Sequence, residues 1–290
     1  KLAVEPVLRM YILSLIAIGF ARTREQLLNF FEKTFWAYQY EDMERIEFQI
    51  NRILDMLKKF NFIYEKENKL IATNIGLRVA QLYIDPLTAH RLIFNIEKAA
   101  AKGVNEIAVM HAICEAAEMR PLLNVRQSEE DELQEELLKH EEMLYAEPEF
   151  IDDDFLEEFK TAMMLTDWLN ERTEEYLLEK YRIRPGEFLV KVHNVDWLLY
   201  SFEQLALLLE KKEILAELAK LRVRLKYGAK EELLALLRFK NIGRVRARLL
   251  FNANIKNRRD VKEAGLEKLA SVLRSKEIAK QLKEQVEIIS

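Results

Sequence analysis

Gly243 is followed at once by three arginines two positions apart, Arg244, Arg246 and Arg248. The segment around them, from Leu233 to Ile255, reads as two short helices meeting across the turn Asn241-Ile242-Gly243, with Ala247 and Leu250 small or apolar where the second helix must pack closely on the first. This is the pattern of a helix-hairpin-helix. Its chemistry is anion capture: the first turn of the second helix presents unsatisfied backbone N–H groups, and the helix dipole favours a phosphate oxygen there. Gly243 lets a ligand approach the backbone without a side chain intervening. Arg244 and Arg248, four residues apart, share a helical face and are expected to add charge beside the phosphate, with Arg246 directed elsewhere. Such contacts hold backbone rather than base sequence, so binding should be sequence-tolerant and salt-sensitive. The motif commonly has glycine where Asn241 and Asn254 stand, and asparagine is the side chain that best tolerates the left-handed conformation after glycine. The same residues would also suit a tight turn between helices whose arginines serve solubility.

Charge along the chain sharpens this reading. Between Lys220 and Arg259 there are thirteen Lys or Arg against Glu231 and Glu232, whereas Glu129 to Glu158 holds fifteen acidic side chains against Lys139 alone. A basic segment in a chain of net charge -4 points to a polyanionic partner for that segment, not for the whole surface. The acidic stretch reads as a solvated, partly mobile loop that repels DNA. One cysteine, Cys114, excludes an internal disulfide framework and fits a reducing cytosol. Of the four histidines, only His111 has a ligand-like spacing to Cys114, and zinc needs four donors, so helix packing is the expectation and no metal site is assigned. The longest apolar stretch, Met10 to Ala21, is shorter than the roughly 20 residues that span a bilayer. A cytoplasmic chain without membrane contact is expected, and Lys1 in first position fits a processed or excised segment.

Seven glycines, five prolines and a charged fraction of 32% predict a mainly α protein of two or three domains in 290 residues. Residues 1–85 read as a winged helix. Ile46, Ile50, Ile53, Leu54 and Leu57 mark one face of a helix over Asp42 to Lys59 whose other face carries Arg45, Arg52 and Lys58, and Phe62 to Thr73 has β-prone ends around a polar Glu67-Asn68 centre. Asp85-Pro86 marks a boundary. Residues 86–210 read as a helical bundle with helices over Leu87 to Lys102, Asn105 to Met119, Phe155 to Lys180 and Glu187 to Leu209, the third preceded by Pro148 and Asp152-Asp153-Asp154. Residues 211–290 form the helix-hairpin-helix block, whose stretch Leu266 to Leu282 is a degenerate second copy suited to packing.

The chain resembles a known family, the archaeal superfamily 2 DNA helicases of the Hjm type, relatives of the helicase part of polymerase theta. The resemblance covers nearly the whole chain. It rests on Phe30 to Gln39, on Ala72 to Ala80 with Leu82 to Ala89, on Asp196-Trp197-Leu198-Leu199-Tyr200, and on Ile242 to Arg248. It implies a winged helix, a helical ratchet domain and a helix-hairpin-helix domain, with the ratchet helix at Glu187 to Leu209 lying beside single-stranded DNA during 3′ to 5′ translocation. Trp197 matches the family's base-stacking tryptophan; the alternative is a core anchor near Leu198, Leu199 and Phe202. Where the family places a basic residue two turns earlier, this chain has Val190, with Lys191 adjacent. The DNA contacts so implied are Trp197, Lys191, Ile242, Gly243, Arg244, Arg246 and Arg248. No phosphate-binding loop ending in Gly-Lys-Ser or Gly-Lys-Thr occurs, so no catalytic residue is assigned and ATP with Mg is expected only in motor domains outside this chain. The expected partners are single-stranded, forked or branched DNA in repair and recombination, and those motor domains. Two other readings remain open: a winged-helix regulator reading duplex DNA, and a protein-docking or autoinhibitory module.

Overall fold

Burial of one apolar face per helix, with short capped turns between, accounts for most of the architecture. A computed structural model describes residues 4–33, 43–146 and 153–288, mainly α-helix. Helix α1 (Val4–Ala17) turns Leu8, Ile12, Leu13 and Ile16 inward, and α2 (Arg24–Glu32) starts where the Thr23 hydroxyl accepts from the Gln26 N–H. Helix α3 (Met43–Lys59) buries Ile46, Ile50, Ile53, Leu54 and Leu57, the face expected from spacing. Strands β1 (Ile63–Lys66) and β2 (Lys69–Ala72) pair antiparallel with Lys66 opposite Lys69, and they are the only strands among the described residues. Glu67 and Asn68 both adopt the left-handed conformation, φ 51° and 60°, that a two-residue hairpin requires. Helix α4 (Asn74–Leu82) follows, capped by Thr73. Residues 34–39 of the segment Phe30 to Gln39, together with Asp42, Pro148 and Asp152, lie outside the described residues.

Asp85-Pro86 does punctuate the chain, with Pro86 in the first turn of α5 (Pro86–Lys102), but the two sides of it are tightly joined. The buried Asp85 carboxylate accepts two hydrogen bonds from Arg9 of α1, at 2.7 and 2.6 Å, and one from the Leu87 N–H. Helix α6 (Glu106–Cys114) is buried from Ile107 to Cys114 and gives way to a 3-10 turn at Ala117–Met119, so it is shorter than the expected helix to Met119. His111 packs against Phe155, and burial pulls its pKa down to about 4. Burial likewise pushes the Cys114 thiol far up.

Two expectations for the bundle need correction. Part of the acidic stretch is ordered as α7 (Glu130–His140), because Leu133 and Leu137, one turn apart, reach the core and hold it there. The helix expected from Phe155 to Lys180 is two helices, α8 (Asp153–Leu169) and α9 (Glu174–Tyr181). Glu171 takes a left-handed conformation, φ 67°, and the Thr173 hydroxyl accepts from the Tyr176 N–H to start the new helix. Helix α10 (Pro185–Leu208) then runs 24 residues, begun by Pro185, and α11 (Leu215–Tyr227) closes the bundle.

The last block comprises α12 (Leu234–Leu237), α13 (Arg244–Asn252), α14 (Arg258–Glu263), α15 (Leu266–Leu273) and α16 (Lys276–Ile288). One continuous apolar core extends from Leu8 to Leu225 and a second from Ala229 to Val286. Helix α11 contributes Leu218, Leu221 and Leu225 to the first core, and the second begins at Ala229.

Helix α4 carries groups that meet α10, and its seat depends on Gly76, where a Cβ would stand 1.9 Å from the Phe62 carbonyl oxygen. Backbone cannot yield there as a flexible side chain would. Gly76→Ala is expected to cost about 3 kcal/mol or more in denaturant unfolding, whereas an unchanged midpoint would show that α4 shifts freely.

Candidate nucleic-acid interface

The hairpin between α12 and α13 is held from below by apolar side chains and from the side by glutamines. Ile242, 2% exposed, is packed into the second core with Leu237, Ala247 and Leu250, so only its backbone is available to a ligand. Asn241 and Asn254 both adopt the left-handed conformation, φ 64° and 59°, as asparagine in place of glycine permits. The Asn241 amide donates to Gln281 at 2.9 Å, and the Gln285 side chain accepts from the Lys240 N–H at 2.7 Å, so α16 clasps the turn. Gly243 is extended, and a Cβ there would meet nothing within 4 Å. No side chain caps α13, which leaves the first-turn N–H groups of residues 244–246 facing that open space. The second copy differs at this point: Ser275 Oγ accepts from the Ile278 N–H, so the start of α16 is already occupied, in keeping with a packing role.

The three arginines divide otherwise than expected. Arg244 and Arg248 do share a face, but it is turned to the bundle. The Arg244 guanidinium lies 4.3 Å from the Trp168 ring centroid and donates to the carbonyl oxygens of Arg172 (3.2 Å) and Gly228 (3.4 Å). Burial there lowers its pKa, against the nearby Glu174, Glu171 and Glu175. Arg248 donates to both oxygens of Glu171, at 2.9 and 2.6 Å, and meets Glu232 at 2.6 Å. The Glu171 hydrogen bond raises the Arg248 pKa, and Glu171 itself is held below the usual carboxylate range because Arg248 and the Lys230 N–H outweigh its burial. Arg246 is exposed and turned back over the hairpin, donating to the Asn241 carbonyl at 2.8 Å. It is Arg246, not Arg244 or Arg248, that stands beside the open helix start. Ala247 and Leu250 must face the core, which sends the neighbouring face of so short a helix onto α8.

Sequence reasoning missed the residues that make this seam: Trp168, Glu171 and Gly228. Gly228 has φ +61°, and a Cβ there would stand 2.4 Å from the Trp168 ring, whose indole N–H donates to the Leu225 carbonyl at 2.7 Å. Buried Arg224 completes the joint by donating to the carbonyls of Ala229 and Leu169 and to Glu106. The available signal was Asn170-Glu171-Arg172-Thr173, a capped break in an otherwise continuous helical pattern.

On α10, Trp197 is half-buried, and its indole N–H donates to the Leu82 carbonyl of α4 at 3.0 Å. Lys191 is not directed outward. Its ammonium donates to the Met119 carbonyl at 3.4 Å and to the Pro121 carbonyl, and burial lowers its pKa. The Asn194 amide donates to the Glu118 carbonyl at 2.9 Å, so the helix is tied to the loop after α6. Val190, where a basic residue was expected, is exposed. On α3, Arg52 pairs with Glu5 at 2.8 Å and Lys58 with Glu65 at 2.5 Å. Among the described residues, no helix is long and apolar enough to cross a membrane, and no group of three or more His, Cys, Asp or Glu could hold a metal.

Comparison with known proteins places these features in context. Residues 107–228 match the family model for domain 4 of archaeal helicases. The chain is 38% identical over 286 residues to the ATP-dependent DNA helicase Hel308 of Methanocaldococcus jannaschii, a match covering 99% of this chain and 23% of that protein. It is 35% identical to the Hel308 of Methanococcus vannielii, over 90% of this chain and 40% of the relative, and 36% identical to that of Pyrococcus horikoshii, over 91% and 37%. The chain thus spans well under half the length of each of these relatives.

If the seam is as described, Arg248 and Glu171 should be energetically coupled. A double-mutant cycle on Arg248→Ala and Glu171→Ala, read by denaturant unfolding, is expected to give a coupling of about 0.5–3 kcal/mol. Strict additivity would contradict the pairing.

Proposed function

The chain belongs to the archaeal Hel308-type DNA helicases, corresponding to their C-terminal part, and from that premise we propose that it is a DNA-gripping module. It binds single-stranded, forked or branched DNA through backbone phosphates at the start of α13 and through bases along α10. The observation that carries this reading is the uncapped first turn of α13, open at Gly243 and flanked by Arg246. Unsatisfied N–H groups at the positive end of a helix, with a guanidinium alongside, suit a phosphate oxygen of any sequence. The chain's own contribution is then binding and not catalysis. ATP hydrolysis with Mg belongs to motor domains outside it, and 3′ to 5′ movement on repair and recombination intermediates belongs to the whole helicase. Arg244 and Arg248 support the same function by bracing the hairpin on the bundle, which requires no direct contact with DNA.

Gly243→Val adds bulk only on the open side of the hairpin. It should leave the thermal midpoint unchanged and weaken DNA binding about 10-fold or more, as expected when a charge-assisted backbone contact is lost. Arg246→Ala should lower the slope of log K against log salt by about 0.7–0.9, one phosphate contact. Wild-type affinity and slope in both variants would refute phosphate capture at this site.

A further inference from the structure

On α10 the residues opposite the helix's most buried face form a stripe of which the family resemblance assigns Trp197 alone, itself half-buried against the first core. Phe188, Val195, Leu198, Leu199, Phe202 and Leu205 are buried and define the inner face. On the opposite side, His193, Trp197 and Tyr200 fall at i, i+4 and i+7, one ring on each successive turn. His193 is exposed, Trp197 half-buried and Tyr200 40% exposed. The three Cα positions advance along the axis by about 6 and then about 4.5 Å, so a strand laid along the helix meets a ring at each turn.

A guanidinium group borders the stripe on each side. On one side Arg222 of α11 lies 5.2 Å from the Tyr200 ring centroid, and the same guanidinium pairs with Asp196 at 3.1 Å and Glu203 at 2.8 Å. That guanidinium offsets part of the charge of the two α10 carboxylates beside the stripe. On the other side Arg78 of α4 donates to Gln204, which follows Trp197 by seven residues on the same face. Trp197 is held by its N–H at Leu82, which fixes the indole edge and leaves a ring face as its means of contact. Rings separated by single turns and bordered by guanidinium groups match the stacked bases and phosphates of a single strand.

We propose that His193 and Tyr200 are further base-contacting residues, forming with Trp197 a three-ring track for single-stranded DNA along α10. This rests on the reading of α10 as a single-strand contact, and it supplies by a ring at position 193 what Val190 does not supply as a cation. Contact with bases through ring faces discriminates little among sequences, as a moving strand requires.

The test is equilibrium binding by fluorescence anisotropy, with the full chain, of an oligothymidylate and of an abasic oligonucleotide of equal length. Variants are His193→Ala, Tyr200→Ala, Tyr200→Phe and Trp197→Ala, with thermal midpoints checked for each. His193→Ala and Tyr200→Ala should each weaken oligothymidylate binding about 5- to 100-fold while leaving the abasic strand unaffected, and Tyr200→Phe should retain wild-type affinity. If only Trp197→Ala weakens binding, the track is overturned and the single-strand reading of α10 stands. If none of the alanine variants changes affinity, both are overturned.

Discussion

A guanidinium seated on an indole sets the geometry on which the C-terminal block depends. Arg244 lies over Trp168 and donates to two backbone carbonyls, a cation–π contact worth about 1 kcal/mol for a half-buried guanidinium. The seat exists because Gly228 has no side chain: a Cβ 2.4 Å from the ring would displace Trp168 and remove the platform. Left-handed Glu171 then reaches Arg248, one turn further along α13. Because these contacts join α13 directly to Trp168 of α8 and to the turn that follows it, the hairpin takes its orientation from the bundle.

That constraint distributes work around two helices. Helix α13 has a core face at Ala247 and Leu250, a seam face at Arg244 and Arg248, and an open start at Gly243 with Arg246 beside it. Two arginines that could have faced solvent are spent on holding position, which leaves fewer cations but a better-placed backbone site. Helix α10 follows the same logic. Lys191 and Asn194 tie it to carbonyls of the loop after α6, and Trp197 is anchored on α4, so its outer face is presented by contacts to both neighbouring units.

Much of the fold was legible because it follows from short-range rules. The apolar spacing of α3 came through intact, since burial of one face leaves little choice of register, and Glu67-Asn68 supplied the two left-handed residues of the hairpin. Asn241 and Asn254 adopt the conformation asparagine tolerates, and Ile242, Ala247 and Leu250 pack as the motif requires. The contacts that Arg244 and Arg248 make with the bundle were not legible, for a different reason. Their partner Glu171 lies 77 positions from Arg248, in a helix break hidden by continuous apolar periodicity from α8 into α9. Lys191 misled likewise, because the carbonyls that hold it come from a loop about 70 residues earlier. Helical spacing identifies which residues share a face but not what that face meets.

The most direct test of the account is to follow backbone amide and arginine Nε resonances in isotope-labelled protein during titration with single-stranded DNA. The account predicts that the amides of Arg244, Val245 and Arg246 shift progressively with added DNA while the Arg248 Nε–H, held by Glu171, stays in place. Loss of the Arg248 signal from its bound position, with the first-turn amides of α13 unmoved, would contradict it.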